Sequence, residues 1–393
     1  MIPQASRAAA GSRLYFIDNV RWLVIVMVVV MHVCVTYSGM GSWYYKEPGA
    51  LGIGAGLVFM LYQSFSQAFF MGLLFLIGGI FVPPAYERKG CARFIRDRLV
   101  RLGVPTAVFM LVLDPGINLM MLLLRGGSVS LSAALSRYAH FITSFQFVSA
   151  SGPLWFALAL LVFSIAYALS RKALETIRGE RPLRARRASP VTDLRVTAVI
   201  ALIALGSFLV RAVQPFGTSW FNMQLGNFTQ YIVLFLVGLW AARTDLLRTL
   251  PSQFGMGWFR MAFAAGVPAW FIIGGLGGAM GGNPGFLLGG LHWQAAAYAL
   301  WESFFCVGIC LGLIVLYRQR ANGRALVSGF LSDNAFAVYV FHAPVLVALS
   351  LALRGLLMAP LGKAAIVGVL AVTGSYLVAW LIRRVPGLRR IFS

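Results

Sequence analysis

Charged residues are scarce in this sequence. Only 11% of its 393 residues are Asp, Glu, Lys or Arg, and the acidic ones number 11. A soluble chain carries roughly a quarter charged residues. With 60% hydrophobic residues and a mean hydropathy of +0.82, this chain cannot cover a water-exposed surface. The composition therefore predicts an all-α, polytopic membrane protein.

Cysteine is also scarce, and no signal peptide is evident. The four cysteines lie at no spacing typical of a metal site, so we expect packing residues and no bound metal. They are Cys34, Cys91, Cys306 and Cys310. The first apolar run has no small-residue cleavage site and is long enough to span a bilayer. We therefore expect it to remain in the protein as a membrane helix.

Long apolar runs are what the sequence does contain. A run of about 20 residues is needed to cross a bilayer. Ten such runs lie at 15–38, 57–82, 100–124, 152–171, 193–213, 227–243, 258–280, 293–317, 328–353 and 361–383. They predict a single transmembrane domain over residues 1–393 with about ten helices and no fused soluble domain.

Basic residues give the chain a net charge of +22, but their distribution argues against nucleic-acid binding. They cluster between apolar runs, as the positive-inside rule requires. With ten spans and the N-terminus inside, 27 of the 33 Lys and Arg residues lie inside and 6 outside. Both termini are therefore predicted to be cytoplasmic, and residues 172–192 are predicted to form a basic cytoplasmic loop.

This orientation can be tested with reporter fusions. We expect a reporter fused after Ser151 to be extracytoplasmic and one fused after Pro190 to be cytoplasmic, because the charge asymmetry fixes the direction of insertion. Alkaline phosphatase and fluorescent-protein activities of the fusions are the measurement. The reverse pattern would contradict the ten-helix arrangement.

The first apolar run, "NVRWLVIVMVVVMHVCVTY", contains Arg21 and His32. Their eleven-residue spacing is close to three helical turns, so both project from one helix face, about 16 Å apart along the axis. Arg21 lies near the cytoplasmic end, where it could be only a snorkelling anchor. A histidine deep in a span typically faces the bundle interior and marks a pathway or a site.

Three other ionisable residues fall within apolar runs: Asp114, Glu302 and His342. A buried carboxylate needs a partner, and a carboxylate beside an imidazole can orient it. We therefore predict a catalytic constellation of His32 with Asp114 or Glu302, and with His342 as a further candidate member. Helix packing is the alternative interpretation of His342, which stands two residues before a proline.

The segment "ERKGCARFIRDRLVRLGVP", residues 87–105, is strongly basic. It is either an ordinary positive-inside loop or a phosphate-binding surface, since the planar fork of arginine matches phosphate geometry. A polyanionic cytosolic molecule such as coenzyme A (CoA) would suit the second interpretation.

Four segments resemble acyltransferase family 3 in chain order. "IDNVRWLVIVMVVVMHV" resembles the first helix of that family, with its R-x10-H pattern at Arg21 and His32. "FFMGLLFLIGGIFVPPAYERKGCARFIRDRLVRLGVP" resembles its second helix and the Arg-rich turn that follows. "GPLWFALALL" resembles a middle helix, and "LSDNAFAVYVFHAPVLV" resembles the C-terminal Tyr-x-x-His segment. The resemblance covers nearly the whole chain, and its details are most similar to the glucan-modifying branch.

The resemblance implies a membrane O-acyltransferase of the cytoplasmic (inner) membrane of a bacterium. The donor would be acyl-CoA, with acetyl-CoA expected and succinyl-CoA the alternative, and the acceptor a hydroxyl of a glycan or small molecule. His32 would act as general base or as an acyl relay, and Arg21 would contact the donor or the oxyanion. Donor binding would fall to Arg93, Arg98, Arg101 and Tyr339. The rival interpretation is a transporter with a His and carboxylate proton relay.

Overall fold

A computed structural model of the chain describes residues 14–179, 190–279, 281–282 and 284–392. In this part of the chain, ten helices are long and apolar enough to cross a membrane. We label them α1 to α10. They are Tyr15–Ser38, Ile53–Lys89, Cys91–Leu124, Trp155–Arg178, Asp193–Val213, Phe228–Thr244, Ser252–Leu276, Trp293–Arg320, Leu326–Ala352 and Pro360–Arg384.

The predicted all-α fold with ten spanning helices is confirmed. Most helices extend past their apolar runs into polar sequence, as α2 does in continuing through Pro83 and Pro84 to Lys89. A further helix, Leu131–Thr143, was not predicted, since it is too polar to span. The side chain of Ser130 caps it by accepting a hydrogen bond from the Ala133 N–H (3.2 Å). The centre of the predicted 172–192 loop, and the N-terminal charges Arg7 and Arg13, lie outside the described residues.

Helix α3 is not a regular α-helix throughout. Its hydrogen-bonding register widens twice, over Leu99–Gly103 and Phe109–Leu113, where the turns are π-helical. Pro105 and Pro115 follow these two segments and lack the N–H that a regular helix would use. A wider turn accommodates the missing donor. The two irregular turns lie between the arginine-rich start of α3 and Asp114.

Helix α2 runs through the centre of the bundle and packs against α6 and α8. Its closest approach to α6 is at Gly79 and Gly238. A Cβ placed on Gly79 would lie 2.2 Å from the Phe235 carbonyl oxygen, and one on Gly238 would lie 2.2 Å from that of Leu76. Only glycine at both positions lets the two backbones touch, as in other close-packed membrane helices.

Helices α1, α9 and α10 pack together as a second group. Helix α1 also contacts α2 and α8, so it joins this group to the central helices. The side chain of Asn19 helps to fix α1 by donating hydrogen bonds to the carbonyl oxygens of Ala321 (2.7 Å) and Gly323 (3.1 Å). The interface between α1 and α9 contains the candidate site.

Candidate active site

Two histidines meet between α1 and α9. The Nε2 atom of His342 lies 3.1 Å from the Nδ1 atom of His32, although 310 positions separate the two residues in the chain. Their rings are 5.1 Å apart between centroids and nearly parallel. His342 is completely buried, whereas His32 is partly exposed. The pair therefore has one member enclosed by protein and one that an entering molecule can reach.

The hydrogen bonds assign the tautomers of both rings. His342 Nδ1 lies 2.8 Å from the Tyr339 carbonyl oxygen, which can only accept, so Nδ1 carries the proton. His342 Nε2 is then an acceptor, and His32 Nδ1–H donates to it. This leaves Nε2 of His32 unprotonated, with a lone pair that can accept a proton. The chain of two bonds prepares His32 to accept a proton at its outer nitrogen.

A loop of residues 39–52 covers the pair from one end of the bundle. The Trp43 ring stacks on His32 with centroids 4.0 Å apart and planes inclined by 19°. Its indole N–H is buried and makes no hydrogen bond with any described residue. The stack holds the imidazole plane and keeps water from one of its faces. Sequence reasoning missed Trp43, although the aromatic run "WYY" shortly after the end of α1 was an available signal.

Asp114 anchors this loop and does not contact His32. Its carboxylate accepts hydrogen bonds from the Tyr44 hydroxyl (2.6 Å) and from Asn118 (3.1 Å). Burial and the nearby Asp114 carboxylate raise the pKa of the Tyr44 hydroxyl, which therefore remains a donor. Asp114 thus has partners for its charge without an imidazole. The structure does not bring it to His32, contrary to one of the two pairings that the sequence suggested.

Glu302 has a different partner as well. It accepts a 2.6 Å hydrogen bond from the Arg211 guanidinium, and both side chains are buried. Arg211 also donates to the Gly226 carbonyl oxygen (3.0 Å) and to Asn227 (2.6 Å). A buried carboxylate is stabilised by a full positive charge and its hydrogen bonds. The pair joins α5 to α8, so the predicted contact between Glu302 and His32 is absent among the described residues.

Tyr339 lies beside the histidines rather than among the predicted donor-binding arginines. Its side chain is buried, its hydroxyl donates to the Pro153 carbonyl oxygen, and its ring lies 6.2 Å from that of His342. Its carbonyl oxygen accepts the hydrogen bond from His342 Nδ1–H, so Tyr339 positions the pair through its backbone.

Arg21 lies at the opposite end of α1 from the histidine pair. Its side chain is 45% exposed and lies 3.6 Å from the Asp18 carboxylate. The Arg98 guanidinium is close enough to Arg21 for their charges to repel. Arg98 also lies over the Phe94 ring at 5.0 Å, and its Nε is buried without a hydrogen-bond partner among the described residues. Two guanidinium groups from different helices thus converge where an anion would relieve their repulsion.

The other basic residues of this segment lie along the start of α3. Arg101 is half exposed and lies 3.6 Å from the Asp97 carboxylate, which also pairs with Lys89 at 2.7 Å. Arg93 is exposed. The segment therefore presents several arginines at one end of the bundle, with Asp97 as a local counter-charge.

The comparison with protein families gives one match. The family model described as an acyltransferase domain, that of acyltransferase family 3, matches residues 14–380. The match includes both histidines, the basic start of α3 and almost all of α10. A search of curated proteins and a search of solved structures each give no match.

Proposed function

We propose a specific reaction for this chain, which belongs to acyltransferase family 3 and is a membrane acyltransferase. The protein transfers an acetyl- or succinyl-type group from acyl-CoA to a hydroxyl of a glycan or other envelope molecule. The reaction takes place at the cytoplasmic membrane of a bacterium. The hydrogen-bonded pair of His32 and His342 is the observation that carries this proposal.

The histidine pair supplies the base that acyl transfer to a hydroxyl requires. His32 Nε2 removes the proton of the acceptor hydroxyl as the hydroxyl oxygen attacks the thioester carbonyl carbon. The tetrahedral intermediate then collapses, the carbon–sulfur bond breaks, and the departing thiolate takes the proton from His32. The products are an ester and free CoA. His342 keeps His32 in the reactive tautomer and shares its transient positive charge through the hydrogen bond between them.

The arginines at the other end of the bundle suit the phosphates of the donor. Arg21 and His32 are separated by about 16 Å of helix, because each of eleven residues adds 1.5 Å. An arginine side chain cannot bridge that distance, so Arg21 serves the donor phosphates rather than the oxyanion. With Arg98 and Arg101 it forms a positive site for a pyrophosphate group.

The depth of the histidines suits an acceptor that arrives from outside. His32 is six residues from the end of α1 at Ser38, or about 9 Å, and seventeen residues from its start at Tyr15, or about 26 Å. The charge asymmetry predicts that the Ser38 end is extracytoplasmic. Donor and acceptor would then approach the pair from opposite sides of the membrane.

A thiol-release assay tests the proposal. Membranes or purified protein with an added envelope-glycan fraction receive acetyl-CoA or succinyl-CoA, and free CoA thiol is measured together with label incorporated into the acceptor. We expect thiol release that depends on this protein and on one of the two donors. Absence of protein-dependent thiol release with both donors would show that neither acyl-CoA is the donor.

The role of His342 can be tested separately. We expect His342→Ala to lower kcat by about tenfold, because His32 loses the hydrogen bond, worth roughly 1.5 kcal/mol, that fixes its tautomer. His342→Gln should recover part of this loss, since its amide oxygen can occupy the position of Nε2 and accept from His32 Nδ1–H. Equal rates for the Ala and Gln variants, with normal expression, would argue for a packing role.

A further inference from the structure

A cavity of about 570 Å³ opens at the arginine-rich end of the bundle, between α9 and α10. This volume is within the range of small-molecule sites. Its wall includes Trp380, Arg383, Arg384 and Arg389. Neither the histidine pair nor the basic segment of α3 contributes to it, so it is distinct from the site described above.

The cavity is built by the way the chain turns after α10. Gly387 has a φ of 89°, a left-handed conformation that favours glycine. The turn leads into the short helix Leu388–Ile391, which returns Arg389 to the cavity wall. Phe392 then anchors the segment, since it is buried and its ring lies 5.1 Å from that of Phe341. The arginine is therefore held in place by a packed turn.

The charges of the cavity favour an anion. Arg383 donates to the Asn334 side chain (2.8 Å), and its Nε is buried without a partner among the described residues. Arg384 and Arg389 are both exposed. The one acidic residue in the wall, Asp333, accepts a 2.8 Å hydrogen bond from Arg324. Three guanidinium groups thus surround a space whose carboxylate is already paired.

The cavity also offers flat surfaces for a base. The Arg384 guanidinium lies over the Trp380 ring, 3.7 Å from its centroid. Nucleic-acid bases stack on aromatic rings and on guanidinium planes. Stacking surfaces beside three arginines match the chemistry of a phosphorylated nucleoside, which combines a flat base with negative charge.

Its position connects the cavity with the donor site proposed above. The helix Leu388–Ile391 packs against Leu99–Gly103, the segment of α3 that contains Arg101. On α9, Asn334 at the cavity lies eight residues from His342, which is about 12 Å along the helix. A molecule with its nucleotide in the cavity could extend a long flexible arm along α9 toward the histidine pair.

From this geometry we propose that the cavity binds the adenosine 3′,5′-bisphosphate end of the acyl-CoA donor. The proposal rests on the proposed function, since it names the place of that donor's nucleotide. The pyrophosphate would continue toward Arg21 and Arg98, and the pantetheine arm would run between the helices. The bound chemistry is a phosphate, which an anionic lipid headgroup could also supply.

Binding of free adenosine 3′,5′-bisphosphate to the purified full chain tests this assignment. The protein is placed in nanodiscs of neutral phosphatidylcholine, and affinity is measured by microscale thermophoresis. We expect Arg384→Gln and Arg389→Gln each to raise the Kd by about tenfold, as for the loss of a charge-assisted hydrogen bond. Arg390→Gln is the matched control, since it removes the same charge next to the cavity without lining it, and its Kd should not change. Trp380→Leu should also weaken binding.

Two results would overturn the assignment. One is that the wild type binds the nucleotide and the variants bind it equally well. The other is that the variants lose bound anionic phospholipid and keep their affinity for the nucleotide. Bound phospholipid is measured by mass spectrometry of protein from nanodiscs that contain phosphatidylglycerol. This result would identify a lipid-headgroup site.

The KM for acyl-CoA separates the two proposals. Thiol release with an unchanged KM in Arg384→Gln would remove the cavity assignment and leave the acyl-CoA reaction intact. Nucleotide binding that depends on the cavity arginines, without any thiol release, would leave the cavity as a nucleotide site and remove the acyl-CoA reaction.

Discussion

His32→Ala is expected to lower acyl transfer by about 10²- to 10⁴-fold, the contribution typical of a positioned general base. The substitution removes the only nitrogen of the histidine pair that is free to accept a proton, since His342 uses both of its own. No described carboxylate hydrogen-bonds to His32 and could take its place. The measurement is the initial rate of thiol release from acyl-CoA at saturating donor.

The control for this prediction is His140→Ala. His140 is exposed on the Leu131–Thr143 helix, so His140→Ala removes an imidazole without changing the histidine pair. It should retain the parental rate and expression. Full activity in His32→Ala at normal expression would remove His32 from the mechanism. Loss of monodisperse protein in His32→Ala, but not in the control, would instead indicate a structural role for its contact with Trp43.

The helical frame could be predicted from sequence because the membrane imposes it. A span must carry about 20 mostly apolar residues across the bilayer, so every span leaves an apolar run that can be counted directly. Helix ends were less predictable. Helix α2 continues beyond the apolar run 57–82 to Lys89, since a helix can continue into water once its apolar section has crossed. Hydropathy reports which residues cross the apolar part of the bilayer and does not report where helical hydrogen bonding stops.

The partners of the buried carboxylates could not be predicted, because they depend on the lateral order of the helices. The sequence predicts Asp114 or Glu302 as the partner of His32, on the general ground that carboxylates orient imidazoles. In the structure the Glu302 carboxylate pairs with Arg211 instead. A permanent positive charge stabilises a buried carboxylate better than a neutral imidazole ring does. The sequence contained a signal, since Arg211 lies within the apolar segment "LIALGSFLVRAV". Arg211 lies two residues before the end of the apolar run 193–213, so it is also one of the six charges predicted to be extracytoplasmic.

The sequence predicts both histidines as candidate site residues, but it does not predict that they contact each other. Both His32 and His342 lie deep in apolar runs, which marked each as a candidate. Their contact depends on how α1 packs against α9, and helical periodicity carries no information about that. Trp43 was missed for a related reason. Its place over His32 is set by a loop whose anchor, the bond from Tyr44 to Asp114, joins residues 70 positions apart.

Arg21→Lys is expected to keep expression and membrane orientation while lowering kcat/KM for acyl-CoA by roughly ten- to a hundredfold, the cost of a charge-assisted hydrogen bond worth about 1.5–3 kcal/mol. If Arg21 were only an anchor, lysine would replace it freely, since both residues snorkel and both count as positive-inside charges. A phosphate contact distinguishes them, because one ammonium cannot reproduce the two parallel bonds of the guanidinium fork.

The position of Arg21 determines which kinetic constant should change. It lies about three helical turns from His32, beside Arg98 and far from the reacting carbonyl, so its loss should weaken donor binding and appear as a higher KM. Arg320→Lys, an exposed change at the end of α8, is the matched control and should behave as the parent. An Arg21→Lys enzyme within about twofold of the parent would make Arg21 an anchor. The donor phosphates would then have to be held by Arg98, Arg101 and the cavity arginines. Double variants of those arginines would then show the lower kcat/KM for acyl-CoA.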